Sequence, residues 1–493
     1  ISKTFGPLIA HENVDFIFSF KYAKAHAYSS TTQTYHPAFV EDITAAGGLK
    51  TIWTLRNDDN YLFRWGAPDF VREFITNIPY DVSLGYYFGS DGYVWGREFV
   101  DRTPSARPRL AVDKHWYSWL LWGRLGYDPE LGNDRLASLL EREYPGVDGM
   151  VLLAALQDAS MVYPLTTGFH WGALDFQWYI ECSCSRDNEA GTVSGYHDIL
   201  AFISHGTHPG TDNRTIPDFV EARASGAVLD GTSPLEVARR LEGHAERALD
   251  TAASLSAGAG PGLWSQLDDM RAMAHLGLHY SHKILAATEI ALHWETNSRE
   301  SREKAVHHAR QAAFHWRTYV SYLTAAYQSP IWFNRIGEVD WKLVYLDVLH
   351  DVRSMGGTTD IPSMGPTPRG TILEAEAGRT DAPETAVREG DPGFVEFSAY
   401  RSGDQYIEWD YDAPADGRYI LEVRYSARDM EMKDARVQVD GEAAGTVGLW
   451  GTGGYQTWAW DRTSVPLERG PHTLRLYPNG EFRIDHLNVI PVR

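Results

Sequence analysis

Alternation of apolar and polar residues with a period of two marks both ends of the chain, and a helical period fills the middle. Near the N-terminus Val14, Phe16, Phe18, Phe20 and Tyr22 fall on one side of a strand, opposite Ser19 and Lys21. Trp53 and Leu55 share a side opposite Thr54, Arg56 and Asp58. Val82, Leu84, Tyr86 and Phe88 likewise oppose Ser83, Gly85, Tyr87, Gly89 and Asp91. Successive strand residues point to opposite faces, so each segment has a packing face and a second face that grows polar towards its C-terminal end. Helical stretches at 37–46 and 68–77 separate the segments. Strand–helix–strand spacing with a repeated phase predicts βα units over 1–109, as the C-terminal part of a (β/α)8-type barrel. No strand signal precedes Ile1, so an N-terminal segment or a second chain is expected to complete that barrel.

Residues 110–355 read as an α-helical domain, with long amphipathic stretches at 235–255, 263–294 and 299–326. An irregular, aromatic-rich stretch at 166–213 lies among them, and 356–371 reads as a Pro/Gly-rich linker. Over 372–493 the runs shorten. Tyr419, Leu421, Val423 and Tyr425 share a face, with Glu422 and Arg424 on the other, and Val437 and Val439 lead into an Asp440-Gly441 turn. Short strands of this kind predict an antiparallel β-sandwich. The expected fold is multidomain, with a barrel part, a helical domain and a sandwich.

A chain of 493 residues exceeds one hydrophobic core. Its net charge of −21 argues against nucleic acid and anionic membrane surfaces as partners. There is no long apolar run of membrane-spanning length. Cys182 and Cys184 are too close for an ordinary disulfide and read as buried thiols. Neither a phosphate-binding glycine loop nor a nucleotide fingerprint occurs, so no organic cofactor is expected. His275, His279 and His282 recur at helical spacing, and His205 and His208 lie near Asp212. Both sets are weak metal candidates without an H-E-x-x-H motif.

In the sandwich, Glu374 and Glu376 are two apart on a predicted strand, and Asp485 joins them if the first and last strands pair. Such hard oxygen donors suit Ca²⁺, although a solvated acidic edge is the blander reading. Tyr406, Trp450, Tyr455 and Trp458, with Asn479, offer aromatic faces and an amide for a sugar ring. Trp409 and Trp460 read as core. The whole segment resembles family 6 and family 35 carbohydrate-binding modules. That resemblance implies a sugar ligand and a structural calcium at the Glu374, Glu376 and Asp485 positions.

The remainder is similar to the α-glucuronidase type of glycoside hydrolase. The patches that carry this likeness are 53–59, 86–98 (with Asp91-Gly92-Tyr93-Val94-Trp95-Gly96-Arg97-Glu98) and 116–129 (with Trp122-Gly123-Arg124-Leu125-Gly126-Tyr127-Asp128-Pro129). It implies a polysaccharide or oligosaccharide partner and a bacterial secreted or periplasmic setting, with the signal peptide outside this sequence. Glycoside cleavage uses two carboxyl groups. Asp58 and Asp91 are the strand-end candidates, with Asp59 and Glu98 as loop alternatives. Tyr87, Tyr93 and Trp95 would raise the pKa of an acid by desolvation. Lys21, Arg56 and Arg97 would hold an anionic group, and His26 or His115 would polarise a hydroxyl. The bland reading makes Arg56–Asp58 a salt bridge within the barrel and the histidines structural. The leading expectation is a glycoside hydrolase acting on an acidic, uronic acid-containing or sulfated glycan. A uronate lyase or dehydratase using the same pocket is the runner-up, and a non-catalytic glycan-binding protein the third.

Overall fold

The structure, a computed structural model, describes residues 17–21, 30–32, 50–56, 62–89, 101, 111–171, 178–185, 195–256, 259–333, 336–361, 370–383, 386–390, 392–398, 405–428, 432–452 and 454–492. Strands β1 (Ile17–Lys21), β2 (Lys50–Arg56) and β3 (Ser83–Gly89) form a sheet in the order β1-β2-β3, with both pairs parallel. Helix α1 (Pro68–Thr76) lies between β2 and β3. Pro68 occupies its first turn, where a missing N–H leaves no bond unmade. Trp53 and Leu55 are fully buried, and Trp53 meets Phe74 of α1 edge-on at 6.5 Å.

The predicted apolar face of β3 is broken. The register slips between Thr51↔Ser83 and Trp53↔Tyr86, where Gly85 adopts a left-handed φ of +125°. The extra residue turns Leu84 out, to 56% exposure, while Ser83 is buried. Beyond the slip Phe88 stacks on Trp122 at 5.0 Å.

Helices follow at α2 (Ala111–Lys114), α3 (Trp116–Tyr127), α4 (Asn133–Glu143), α5 (Gly149–Ser160), α6 (Val162–Phe169), α7 (Ile199–Ser204), α8 (Ile216–Ser225), α9 (Pro234–Leu255), α10 (Pro261–Thr296), α11 (Arg299–Ala326) and α12 (Trp341–Ser354). Asn297, left-handed at φ 54°, ends α10, and Ser298 caps α11 by accepting from the Ser301 N–H. Short strands β4 (Trp178–Tyr179), β5 (Cys184–Ser185) and β6 (Gly195–Tyr196) form a small antiparallel sheet inside the irregular stretch. Side chains from the long helices fasten it. Tyr319 Oη and Trp341 Nε1 donate to the Glu181 carbonyl at 2.6 and 2.8 Å, and Tyr280 Oη donates to that of Ile180 at 2.5 Å. One buried core runs from Trp53 and Leu55 through the helices. β7 (Ile331–Phe333) and β8 (Gly337–Val339) make a hairpin before α12.

The sandwich comprises β9 (Thr371–Glu374), β10 (Arg379–Thr380), β11 (Val387–Arg388), β12 (Phe394–Phe397), β13 (Ile407–Ala413), β14 (Gly417–Ala427), β15 (Met432–Val439), β16 (Glu442–Trp450), β17 (Ala459–Leu467), β18 (Gly470–Tyr477) and β19 (Phe482–Val492). One sheet runs β10-β13-β18-β15-β16 and the other β11-β12-β19-β14-β17, with β9 on β19. Tyr419, Leu421, Val423 and Tyr425 line the inner core as the alternation predicts.

The opposite face of β14 is covered too. Glu422 is fully buried and pairs with Arg462 at 2.6 Å. Ser464 Oγ donates to the Ala325 carbonyl of α11 at 2.6 Å. Arg317 of α11 reaches Asp461 at 3.4 Å and donates to Tyr425 Oη at 3.0 Å. Burial raises the Asp461 carboxyl above its ordinary range, and Arg317 opposes that rise. This face of the sandwich is therefore docked on the helices.

Candidate functional site

In the parallel sheet Lys21, Arg56 and Gly89 end their strands along one edge, through the registers Lys21↔Thr54 and Arg56↔Gly89. The candidate catalytic residues Asp58, Asp59, Asp91 and Glu98 lie outside the described residues, as do His26, Tyr93 and Arg97. Tyr87, 49% exposed on β3, faces solvent. His115 does not. It is 3% exposed, and burial, helped by Lys114 and Arg64, holds its pKa well below the ordinary imidazole value. The structure thus places His115 in the interior at the start of α3, apart from the solvent-facing Tyr87.

The sandwich brings a second group together. β9 pairs antiparallel with β19, placing His486 opposite Glu374. The β14–β19 register runs Arg424↔His486 and then Tyr425↔Ile484, so Asp485 is the extra residue of a β-bulge. A bulge re-aims side chains that would otherwise alternate. Here one ligand atom each from Glu374, Asp485 and His486 lies within 4.8 Å of the others. His486 Nδ1 is 3.1 Å from Asp485, and Arg424 pairs with the same carboxylate. Burial, with Asp485 and Glu376 adding like charge, raises the Glu374 carboxyl above its ordinary range.

Glu376 does not share a strand with Glu374 as expected. β9 ends at Glu374, and Glu376 sits in the turn closed by the Gly378 N–H on the Ala375 carbonyl at 3.0 Å. Among the described residues Glu376 Oε2, Arg424 Nε and His486 Nε2 are buried without a hydrogen-bond partner. Buried polar atoms ordinarily find partners, which sets these three atoms apart from most of the sandwich interior.

Beside it lies an aromatic–guanidinium cluster. Buried Thr452 donates to the Ala427 carbonyl at 2.7 Å and accepts from its N–H at 2.9 Å, which pins the loop that carries Tyr455 and Trp458. The Arg483 guanidinium lies 4.1 Å from the Tyr455 ring centre and 4.8 Å from that of Phe394. Arg424 lies 5.1 Å from both Trp458 and Trp460. Trp460 is thus half-buried beside the cluster and not in the core, whereas Trp409 is core. Asn479 is exposed in the turn before β19, and Glu481 of that turn, after burial, contributes to raising the Tyr455 hydroxyl pKa.

The other two predicted aromatics lie elsewhere. Tyr406 faces outward on the five-stranded sheet under Arg475, at 4.4 Å. Trp450 is 3% exposed and packs edge-on against Tyr345 of α12 at 4.6 Å, so it belongs to the docking interface and is closed to a sugar. Sequence reading missed Arg424, Arg483, His486 and Phe394. Arg424 was legible as an outward β14 residue, but the bulge that aims Asp485 has no sequence signal of its own.

Residues 374–491 match the carbohydrate binding module, family 6. Over 102 residues the chain is 34% identical to a cycloisomaltooligosaccharide glucanotransferase of Niallia circulans and 32% identical to another protein of that name and organism. Those stretches are 20% of this chain and 10% of each relative, so the chain spans about a tenth of the curated relatives it matches. Among solved structures, a GH138 enzyme targeting pectin rhamnogalacturonan II matches 96% of this chain and 60% of its own, with a TM-score of 0.55 and 12% identity. That likeness is one of fold. The C-terminal sandwich matches the family 6 carbohydrate-binding module and joins a helical region, and the fold of the whole is like that of the GH138 enzyme. Among the described residues no helix is long and apolar enough to cross a membrane.

Proposed function

We propose that this chain is part of a secreted carbohydrate-active enzyme that binds an acidic glycan through its sandwich and cleaves a glycosidic bond at the ends of its parallel strands. The observation that carries this reading is the group of three unpartnered buried polar atoms, Glu376 Oε2, Arg424 Nε and His486 Nε2, beside Tyr455 and Trp458 inside a carbohydrate-binding module. Aromatic faces take the apolar side of a sugar ring. Arg424 and Arg483 lie among those faces, paired with Asp485 and, at 2.8 Å, with Glu396, and the remaining N–H groups of each fork suit a carboxylate-bearing sugar.

Glu374 and Asp485 lie close enough to share a Ca²⁺ ion, and the unpartnered Glu376 Oε2 is the observation that favours Glu376 as a further oxygen ligand. Held there, the ion would supply positive charge that binds β9 and its turn to β19. It performs no chemistry on the sugar.

For the reaction, β1, β2 and β3 would belong to a (β/α)8 barrel, whose sites gather at the C-terminal strand ends. Asp58 and Asp91 would act as the carboxyl pair, Lys21, Arg56 and Arg97 as the anion clamp, and the barrel end would be of the α-glucuronidase-like type. The likeness of fold to an enzyme targeting pectin rhamnogalacturonan II supports an acidic substrate. The test is product analysis on pectic oligosaccharides with wild type, Asp58→Asn and Asp91→Asn. New reducing ends that vanish in both variants support the proposal. Near-ultraviolet-absorbing unsaturated products would show elimination in place of hydrolysis, and full turnover by either variant would remove that residue from the pair.

A further inference from the structure

The helical region holds a group of imidazoles that the glycan site does not use. His170 ends α6, His197 follows β6, and His205 ends α7. One nitrogen of each lies within 4.8 Å of the other two, and His170 Nε2 is 2.8 Å from His197 Nδ1. His170 and His197 are buried, and His205 is half-buried. Packing fixes the rings: His170 stacks on Phe202 at 3.9 Å and meets Trp178 edge-on at 5.0 Å.

The outer nitrogens of His197 and His205 are held in the manner of ligating imidazoles. His205 Nδ1 lies 2.6 Å from the Ala201 carbonyl. A carbonyl only accepts, so Nδ1 carries the proton and a bond to a metal would fall to Nε2. His197 Nε2 lies 2.6 Å from Ser185 Oγ. With Ser185 accepting, the Nδ1 lone pair of His197 turns towards His170. Oxygen acceptors such as those behind His197 and His205 are how proteins orient imidazole ligands on a metal. Lys283 lies over the ring of Phe202, on which His170 stacks, at 5.1 Å. The charge of Lys283 is matched by Asp351 at 2.9 Å.

We propose that His170, His197 and His205 form a binding site for a divalent transition-metal ion of the Zn²⁺ class, with three imidazole ligands and a fourth position for water. Zn–N bonds of about 2.0–2.1 Å place tetrahedral ligand nitrogens roughly 3.3 Å apart. The closest pair here need open only slightly, and the third ring close inward, to meet that spacing. An all-nitrogen set disfavours Ca²⁺ and Mg²⁺. The ion would clamp the ends of α6 and α7 to the small β4–β5–β6 sheet.

The full chain, stripped with chelator and dialysed, is titrated with Co²⁺ for its visible ligand-field absorption and with Zn²⁺ by calorimetry. We expect one high-affinity ion per chain, and a rise in melting temperature on adding Zn²⁺. His197→Ala and His205→Gln should both lose saturable binding and the melting shift. Ser185→Ala should weaken binding by about 10-fold, as expected of an outer partner. Asp485→Ala, which alters the separate cluster in the sandwich, should bind as wild type does. His205→Gln touches only a half-buried ring, so it reports binding even if His197→Ala fails to fold. The proposal is overturned if wild type takes up no ion, if folded His205→Gln binds like wild type, or if uptake is lost with Asp485→Ala.

Discussion

The six-stranded sheet of the sandwich and the three-stranded parallel sheet show the same alternation in sequence and meet different surroundings. On β14 the apolar positions fill the sandwich core, and on its other face Glu422 is fully buried and paired with Arg462. On β3 the alternation yields at Gly85, and Leu84 and Tyr87 face water. Period-two patterning assigns residues to faces. What covers each face depends on partners far away in sequence, such as Arg317 and Ala325 on α11. A polar outer face is therefore ambiguous: it reads as solvated whether it meets water or a neighbour that answers its charges.

Breaking the covered face should have the largest effect. Arg317→Ala leaves the Asp461 carboxylate buried without its cation, and removing one partner of a buried pair costs about 3–5 kcal/mol. Denaturant unfolding of the full chain measures it. A cost below about 1 kcal/mol would mean that the interface is hydrated and that the sandwich moves freely. The parallel sheet can be divided by residue. Leu55→Ala should cost about 2–5 kcal/mol, as core leucines do, and Leu84→Ala no more than about 0.5 kcal/mol. Equal losses would place Leu84 against a partner and erase the contrast.

The smallest effect belongs to the solvent-facing edge of the five-stranded sheet, where His472 Nδ1 lies 2.7 Å from Asp440. Despite some burial, Asp440 and the Glu468 carbonyl raise the His472 pKa, while the Thr473 N–H and His472 lower that of Asp440. The histidine's contribution is fully present below about pH 6.5 and fades as pH rises through its raised folded value. The aspartate's is present above about pH 4 and fades as pH falls. Their pairing, worth less than about 1 kcal/mol at the surface, should peak between these limits. His472→Asn should remove the loss of stability on the alkaline side, seen as melting temperature against pH.

Much of the architecture was legible in the sequence, because strand and helix periods follow from backbone geometry. Less of the site was. Glu374 and Asp485 were readable as a pair once β9 and β19 paired, but Glu376 left the strand at a turn and a bulge drew His486 into the group. Trp450 looked like its exposed neighbours because an aromatic suits a sugar and an interface equally. His205 lies near His208 in sequence, yet it groups with His170 and His197, brought in by helix and strand ends that local spacing does not encode.

The central claim is that the sandwich holds its glycan at the edge formed by Tyr455 and Trp458 while its other aromatic, Trp450, serves the interface. Calorimetric titration with uronic acid oligosaccharides from pectin separates the two. Trp458→Ala should weaken binding by about 2 kcal/mol, the loss typical of a central aromatic contact, and leave the melting temperature nearly unchanged. Trp450→Ala should cost about 3–5 kcal/mol of stability and, where the chain stays folded, leave glycan affinity as it was. Wild-type affinity in Trp458→Ala, or lost affinity in a folded Trp450→Ala, would contradict the assignment.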